Sequence, residues 1–396
     1  MDGMLASRSD ATPTPADRAF EAMLASLSAQ FAATAAEHDR TGCIAHQNLA
    51  ALHEAGLLAL TVDPRFGGLG RGLRETIQVI GRIAEGDPST ALILSMHYLQ
   101  TASATRSGRW PETALHAVSQ AAVQAGGLIN ALRVEPELGT PARGGLPATV
   151  ARRTDDGWRI SGRKLYSTGS HALHWGLVWS RTDEASPRVG GFLVPMASAG
   201  ISIEPSWNQL GMRATESHAV VLHDVLVPHD HAVDLRLPED RQPIDPVHGI
   251  WSHVVIAALY DGIARTAHRW LLQFLRDRAP ANLGAPLASL PRFHELIGEI
   301  EGLLMVNRRL IASVVDAEER GEALSLAESG LFKIVVTENA IKAVETGLAA
   351  IGNPGLSRDN PLERHYRDVL CARIHTPQRD SARALAGRLA LAGEPG

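Results

Sequence analysis

Residues 155–169 read DDGWRISGRKLYSTG. Asp156-Gly157 is a strong hairpin signal, because a two-residue turn demands the positive φ that glycine accepts at no steric cost. Trp158 and Ile160 then alternate with Arg159 and Ser161, the period of a half-buried strand. The run ends on Tyr166-Ser167-Thr168-Gly169, residues that favour turns for backbone reasons. The same period of two continues through LHWGLVWSRT (173–182), GGFLVPM (190–196), ISIEPSW (201–207) and HAVVLHDVLVP (218–228), with Gly, Pro and Asn between the runs. Residues 126–236 are therefore expected to form a mostly antiparallel β domain, a barrel or a sandwich.

On either side the period changes to that of a helix. Residues 1–14 are rich in Ser, Thr and Pro and read as a flexible lead-in. Residues 15–125 form a helical zone. In it EAMLASLSAQFAATAAEH (21–38) precedes a glycine-rich break, FGGLGRG (66–72), and the amphipathic stretch LRETIQVIGRIAEG (73–86). Asp87-Pro88-Ser89 is a helix-start signal leading into STALILSMHYLQTAS. After the polar linker LPEDRQPIDP (237–246), residues 245–396 hold three long amphipathic segments. With the segment that contains RHYRDVLCARIHTPQ (364–378) they read as a four-helix bundle. The fold class is α+β: helical, then β, then helical bundle.

Composition bounds the function. The chain has 396 residues, 45% of them hydrophobic and 20% charged, as in ordinary globular proteins. A formal charge of −5 argues against nucleic acid as a partner, which needs a basic face. Cys43 and Cys371 form no disulfide framework and fit a reducing cytosol. The N-terminus has no signal-peptide pattern and no run is long enough to span a membrane, so a cytoplasmic protein is expected.

Several residues are candidates for chemistry. The hydroxyls of Ser167 and Thr168 sit at a strand end, where they can serve a ligand beside the sheet or simply form a turn. Arg213 and Ser217 lie in a loop with Thr215 and Glu216. A guanidinium with nearby hydroxyls can hold an anion or the edge of a polar ring, and a solvated loop is an equal reading. His97 lies on an apolar helix, where a satisfied core histidine is the plainer interpretation. His229-Asp230-His231 lacks a third ligand at useful spacing, so no metal site is expected. IGNPGLSRDN (351–360) is a glycine turn, and no GxGxxG or Walker loop occurs.

FGGLGRG, GWRISGRKLYSTG, QLGMRATESHAVVLHDVLVP and NPGLSRDNPLERHYRD, in this order, resemble the acyl-CoA dehydrogenase superfamily from about residue 20 to 390. The resemblance implies a bound flavin, FAD or alternatively FMN, and a homotetramer or a dimer of dimers. Tyr166 and Thr168 stand where the family sets an aromatic ring and a threonine against the flavin. Arg278 falls in the region of a family arginine that reaches the flavin pyrophosphate. Gly352 and Gly355 fall in the family's glycine turn beside the adenosine half.

The chain also departs from that family. Its dehydrogenases carry a catalytic carboxylate nine residues after the arginine of an Arg-Asp pair. Here the pair is Arg367-Asp368 and the position is Thr376, far too weak a base. The alternative family position, on the first long helix of the bundle, is Ser252. The segment NALRVEPELGTPARGG (130–145) is also rewritten. Ile374-His375-Thr376-Pro377 resembles instead the Leu-His-Asp-Pro ending of flavin-dependent monooxygenases such as dibenzothiophene monooxygenase. That branch also has a histidine near His97. The resemblance implies a two-component monooxygenase acting on a small-molecule substrate. A separate flavin reductase supplies reduced flavin, and O2 reacts through a C4a-(hydro)peroxyflavin, with His375, His97 and Thr168 as catalytic residues. The alternative is an acyl-CoA dehydrogenase with a relocated base, such as His375 or Glu216, served by an electron-transfer flavoprotein. A third reading is a non-catalytic flavin-fold module.

Overall fold

The computed structural model describes residues 14–138, 145–240, 245, 247–322 and 324–393. The lead-in before Thr14, residues 139–144 of the rewritten segment and residues 241–244 and 246 of the linker lie outside the described residues.

The order of elements follows the changes of period. Helices α1 (Pro15–Thr41), α2 (His46–Glu54), α3 (Leu73–Gly86), α4 (Pro88–Ser107) and α5 (Glu112–Gln124) come first. Strands β1 (Leu128–Leu132), β2 (Val150–Thr154), β3 (Gly157–Lys164), β4 (Leu173–Thr182), β5 (Val189–Pro195), β6 (Ile201–Glu204), β7 (Ala219–Val227) and β8 (Ala232–Arg236) follow. Helices α6 (His248–Asp277), α7 (Pro291–Glu319), α8 (Leu326–Ile351), α9 (Asn353–Leu356), α10 (Leu362–Leu370) and α11 (Arg379–Ala392) close the chain.

The chain divides into two compact units. One holds residues 37–76 and 89–252. Its eight strands form a single sheet in the order β6-β7-β3-β2-β4-β5-β8, and β1 pairs with β4. Most pairs are antiparallel, but β1 and β2 both run parallel to β4 along one of its edges. The β2–β3 hairpin pairs Thr154 with Gly157, as the Asp155-Asp156 turn requires. Gly157 has φ +150°, and a Cβ there would stand 2.2 Å from the Val227 oxygen, so no other residue fits without a shift. Trp110, Leu115, Val118, Ile129, Leu193 and Val233 pack α5 against the sheet.

In the same unit FGGLGRG lies along residues 59–63. Leu69 N–H donates to Ala59 O (2.9 Å), Gly70 N–H to Val62 O (2.9 Å) and Arg71 N–H to Leu60 O (2.8 Å). A Cβ at Gly68 would stand 2.1 Å from Val62 O. Gly68→Ala must therefore pry the two strands of chain apart, an overpacking cost of roughly 1–3 kcal/mol. A urea titration followed by circular dichroism measures it.

Among the described residues, the other unit holds 14–36, 77–88 and those from His253 to Gly393. The helical zone of residues 15–125 is thus shared between the two units. Ser325 and Glu328 form a reciprocal capping box that starts α8, and Gly352 at φ +67° ends it. Glu85, whose side chain is buried, receives Arg82, Arg265 and Arg269, tying α3 to α6. The expected fourth helix of the bundle is two short helices. Between α10 and α11 the chain tightens into a 3-10 turn, Cys371–Ile374, and passes through a cis Thr376-Pro377 bond. Proline cannot donate a helical hydrogen bond, which explains the break.

Candidate functional site

Three hydroxyls converge in the sheet-containing unit. Ser217 Oγ donates to Thr168 Oγ1 at 3.1 Å and lies 2.8 Å from Thr215 Oγ1. Ser217 and Thr215 are buried. Because Thr168 accepts in this chain, its own proton stays free for a ligand. Asn130 Nδ2, on β1, donates to the Thr168 carbonyl at 3.1 Å and fixes the turn.

Beside them Ser167 is 1% exposed, and its Oγ has no hydrogen-bond partner among the described residues. A buried unmade hydrogen bond costs about 1–3 kcal/mol, so an orphan hydroxyl marks a place where a ligand brings the missing partner. Tyr166 is 58% exposed and held at φ +54°, a backbone conformation that costs a bulky residue energy. Its ring meets Trp207 edge to face at 6.4 Å. Trp207 Nε1 donates to the Met212 and Arg213 carbonyls. The set offers an aromatic face, an orphan hydroxyl and a free hydroxyl proton side by side. A planar heteroaromatic ring with polar edges, such as a flavin, fits that set.

The other candidates in this unit have structural partners. Arg213 donates to the Asp39 and Gln209 carbonyls. His97 is fully buried. Its Nδ1 accepts from Ile129 N–H (3.3 Å), so Nε2 carries the proton and donates to Leu58 O (2.8 Å). Burial lowers its pKa to about 4, opposed by the Leu58 bond. Ser252 is half-buried beside Trp251, over whose ring Arg106 lies at 4.1 Å.

A cluster not singled out in the sequence lies nearby. His171, Glu216 and His218 bring ligand-type atoms within 4.8 Å of one another. His171 Nδ1 pairs with Glu216 Oε2, and Glu216 Oε1 accepts from Ile44 N–H at 3.2 Å. His218 Nδ1 accepts from both Ser206 and Trp207 N–H at 3.0 Å. The neutral His218 ring therefore carries its proton on Nε2, which leaves no lone pair for a cation.

In the helical unit, His375 Nε2 lies 2.8 Å from the Tyr260 hydroxyl. Tyr260 is fully buried, and burial raises its pKa well above the ordinary value. It stays protonated and donates to Nε2, so the neutral imidazole holds its proton on Nδ1. His375 is half-buried, and burial followed by the Lys333 charge lowers its pKa to about 3. Thr376 is exposed.

Lys333 organises the break in the bundle. Its buried Nζ donates to the carbonyls of Ala372 (3.0 Å), His375 (2.8 Å) and Pro377 (3.2 Å). The sequence does carry a signal for it: one lysine inside the apolar run GLFKIVV. Nothing in the sequence pairs Tyr260 with His375, which are 115 positions apart. Arg278 is exposed at the end of α6. Gly355 is buried, and a Cβ there would stand 2.7 Å from Leu348 O.

Family models for the acyl-CoA dehydrogenase N-terminal, middle and C-terminal domains match residues 14–108, 133–225 and 254–379. The putative acyl-CoA dehydrogenase YdbM of Bacillus subtilis (strain 168) is 34% identical over 357 residues, covering 89% of this chain and 91% of that one. The probable FMNH2-dependent monooxygenase SfnC of Pseudomonas putida is 25% identical, covering 89% of both chains. The solved structure of KijD3 in complex with dTDP superposes with a TM-score of 0.84 at 25% identity, covering 98% of this chain and 99% of that one. A helical N-terminal region, a sheet region and a helical C-terminal region, matched along nearly the whole chain, place it in the acyl-CoA dehydrogenase superfamily of flavoproteins.

Proposed function

We propose that this chain is the oxygenase of a two-component, flavin-dependent monooxygenase acting on a small molecule. The observation that carries the reading is the missing carboxylate. Position 376 is an exposed threonine and position 252 a serine, so neither place holds a group basic enough to take an α-proton from a thioester. Beside the first stands a neutral histidine held by a buried tyrosine. The likeness to SfnC, a probable FMNH2-dependent monooxygenase, supports the same reading.

Tyr166, Ser167 and Thr168 would hold the flavin ring, with Arg278, Gly352 and Gly355 toward its phosphate side. FMN and FAD share that ring. When bound and reduced, the flavin supplies the electrons that activate O2. The chain's own part is to hold protons. Thr168 offers its free hydroxyl proton, backed by Ser217. His375 offers Nδ1–H, and Tyr260 on Nε2 keeps that tautomer. Ser217 and Arg213 would shape the substrate side with Ser252, and a separate reductase would deliver the reduced flavin. His97 would have to give up a backbone partner to join them.

Rapid mixing of the protein, loaded with reduced FMN or FAD, with O2 tests the proposal. Flavin re-oxidation should proceed in two resolved phases. His375→Phe should speed the slower phase by about 10-fold or more, since general acid–base groups contribute on the order of 10²–10⁴. A single phase as fast as free flavin, together with anaerobic bleaching of the flavin by acyl-CoA thioesters, would overturn it. That second outcome belongs to an acyl-CoA dehydrogenase with a relocated base, the reading favoured by the likeness to YdbM.

A further inference from the structure

Lysine is rare in this chain. Of 38 lysines and arginines only Lys164, Lys333 and Lys342 are lysines. Lys164 pairs with a buried glutamate. Lys333, in the helical unit, is also 0% exposed, and among the described residues no carboxylate forms an ion pair with it. Its three donors go to the carbonyls of Ala372, His375 and Pro377. The match is one of number. An ammonium has three N–H donors and no acceptor, and a carbonyl only accepts. A free amine has two donors and a lone pair. It can serve two of the carbonyls, and the third is then left buried without a donor. Arginine cannot play this part, because its planar fork does not converge on one point and it keeps its proton at every pH a protein meets.

The turn so held carries His375. Its carbonyl is gripped by Lys333 of α8 and its Nε2 by the Tyr260 hydroxyl of α6. The turn lies directly on α8, since a Cβ at Gly330 would stand 3.4 Å from Pro377 Cγ. Position of the ring and path of the backbone are therefore set by two different helices, and Lys333 supplies the backbone half.

Lys333 holds its proton less firmly than an ordinary lysine. Burial lowers its pKa to about 8, opposed by the Glu338 charge. Glu338 is itself approached by Arg373 at 3.6 Å and Arg379 at 4.0 Å. Asp380 and Arg383 of α11 line the same open cleft as Lys333. From α6, His253 meets Ser329, one turn before Lys333, at 2.9 Å. From α10, the Asp368 charge acts on Tyr260. His375 and Tyr260 titrate far below and far above the range of Lys333, so neither changes charge when it does.

We propose that Lys333 is a proton-operated latch: charged, it holds the 372–377 turn so that His375 sits on Tyr260, and neutral, it lets the turn loosen and His375 leave. Lys333 is a positioning residue in this, acting on His375 through the backbone. What the latch does to chemistry rests on the monooxygenase reading, under which His375 holds a proton beside the flavin. The latch itself requires no flavin.

Two measurements on the full-length, flavin-free protein test the latch. Carbon-13 labelling of lysine should give three side-chain signals in NMR, assigned with Lys333→Met and Lys342→Arg. The Lys333 signal should titrate near pH 8, against about 10.4 for an ordinary lysine. Hydrogen exchange of residues 371–378, corrected for its intrinsic rise with pH, should lose about 10-fold or more of its protection between pH 7 and pH 9, while α7 is unchanged, since a latch one unit above its pKa is about 10-fold more often open than shut. Lys333→Met, with no proton to lose, should show the low protection at both pH values, and circular dichroism melts check its fold. Where that variant does not fold, the wild-type pH dependence decides alone. A structural cross-link that never switches leaves wild-type protection equal at the two pH values, and that result overturns the proposal, as does a Lys333 signal titrating where an ordinary lysine does. With reduced flavin and O2, the slower re-oxidation phase should quicken with the same midpoint in wild type and not in Lys333→Met. If that phase is absent while exchange still switches, the flavin reading fails and the latch stands.

Discussion

Glu135→Ala will lower the stability of the sheet-containing unit by about 3–5 kcal/mol, enough to abolish folding in a marginal domain. Glu135 is 1% exposed and accepts four hydrogen bonds. They come from Ala148 N–H (2.6 Å), Thr149 N–H (3.0 Å), the Thr149 hydroxyl (2.5 Å) and Lys164 Nζ (2.6 Å). Burial alone would push its carboxyl pKa up, but Lys164 and Thr149 outweigh it, and the pKa is lowered. The loss is largest on the other side of the pair. Lys164 is fully buried, and without Glu135 its ammonium keeps only the Trp179 carbonyl. Stranding a buried charge is what makes breaking such a pair costly. Urea midpoints for wild type, Glu135→Ala and the double variant Glu135→Leu/Lys164→Met measure it. The double variant, which strands no charge, should recover most of the lost stability.

Acid will begin to destabilise both units below about pH 6.5, before their carboxylates titrate. His97 in one unit and His365 in the other are buried, 0% and 4% exposed. Burial lowers His97 to about 4, and burial with the Arg364 and Arg269 charges lowers His365 to about 3. Both titrate near 6.5 in an unfolded chain. Between these values the unfolded state binds more protons than the folded one, so stability falls as pH falls. It is complete above pH 6.5 and is lost progressively toward 4 for His97 and 3 for His365. At about 1.4 kcal/mol per unit of pKa difference the two contribute on the order of 3 and 5 kcal/mol. Urea midpoints at pH 7, 6 and 5 should drop at each step. His97→Gln should flatten the dependence of the sheet-containing unit, and a profile unchanged down to pH 4.5 would refute the assignment.

The architecture was legible where periodicity speaks. The period changes from 3.6 to two at residue 126 and back after 236; the first strand begins at Leu128 and the last ends at Arg236. Asp156-Gly157 marked the hairpin because turn chemistry is local, but the turn is one residue earlier, Asp155-Asp156, and Gly157 already pairs with Thr154 in β3. The parallel pairing of β1 and β2 with β4 was not legible, since alternation sets the face of a strand and not the direction of its neighbour. Around the candidate site, Ser167 and Thr168 were visible as hydroxyls at a strand end, but the orphan state of Ser167 depends on what surrounds it. Tyr260 escaped notice for the same reason, as did the partners of Lys333, though the lysine itself stands out in GLFKIVV. Each sits in a helix at a position that reads as core, and its partner lies tens of residues away. The break between α10 and α11 was half legible: Pro377 announces a stop, whereas the lysine that shapes the turn belongs to another helix.

That lysine has a consequence for how such a fold acquires new chemistry. Lys333 grips residues 372–377 by their carbonyls alone, atoms that every amino acid carries. The path of the backbone is thus insulated from the identities of the side chains along it. A carboxylate, an imidazole or a bare hydroxyl can be mounted at 375 or 376 without renegotiating the turn, so the reaction can change while the socket stays.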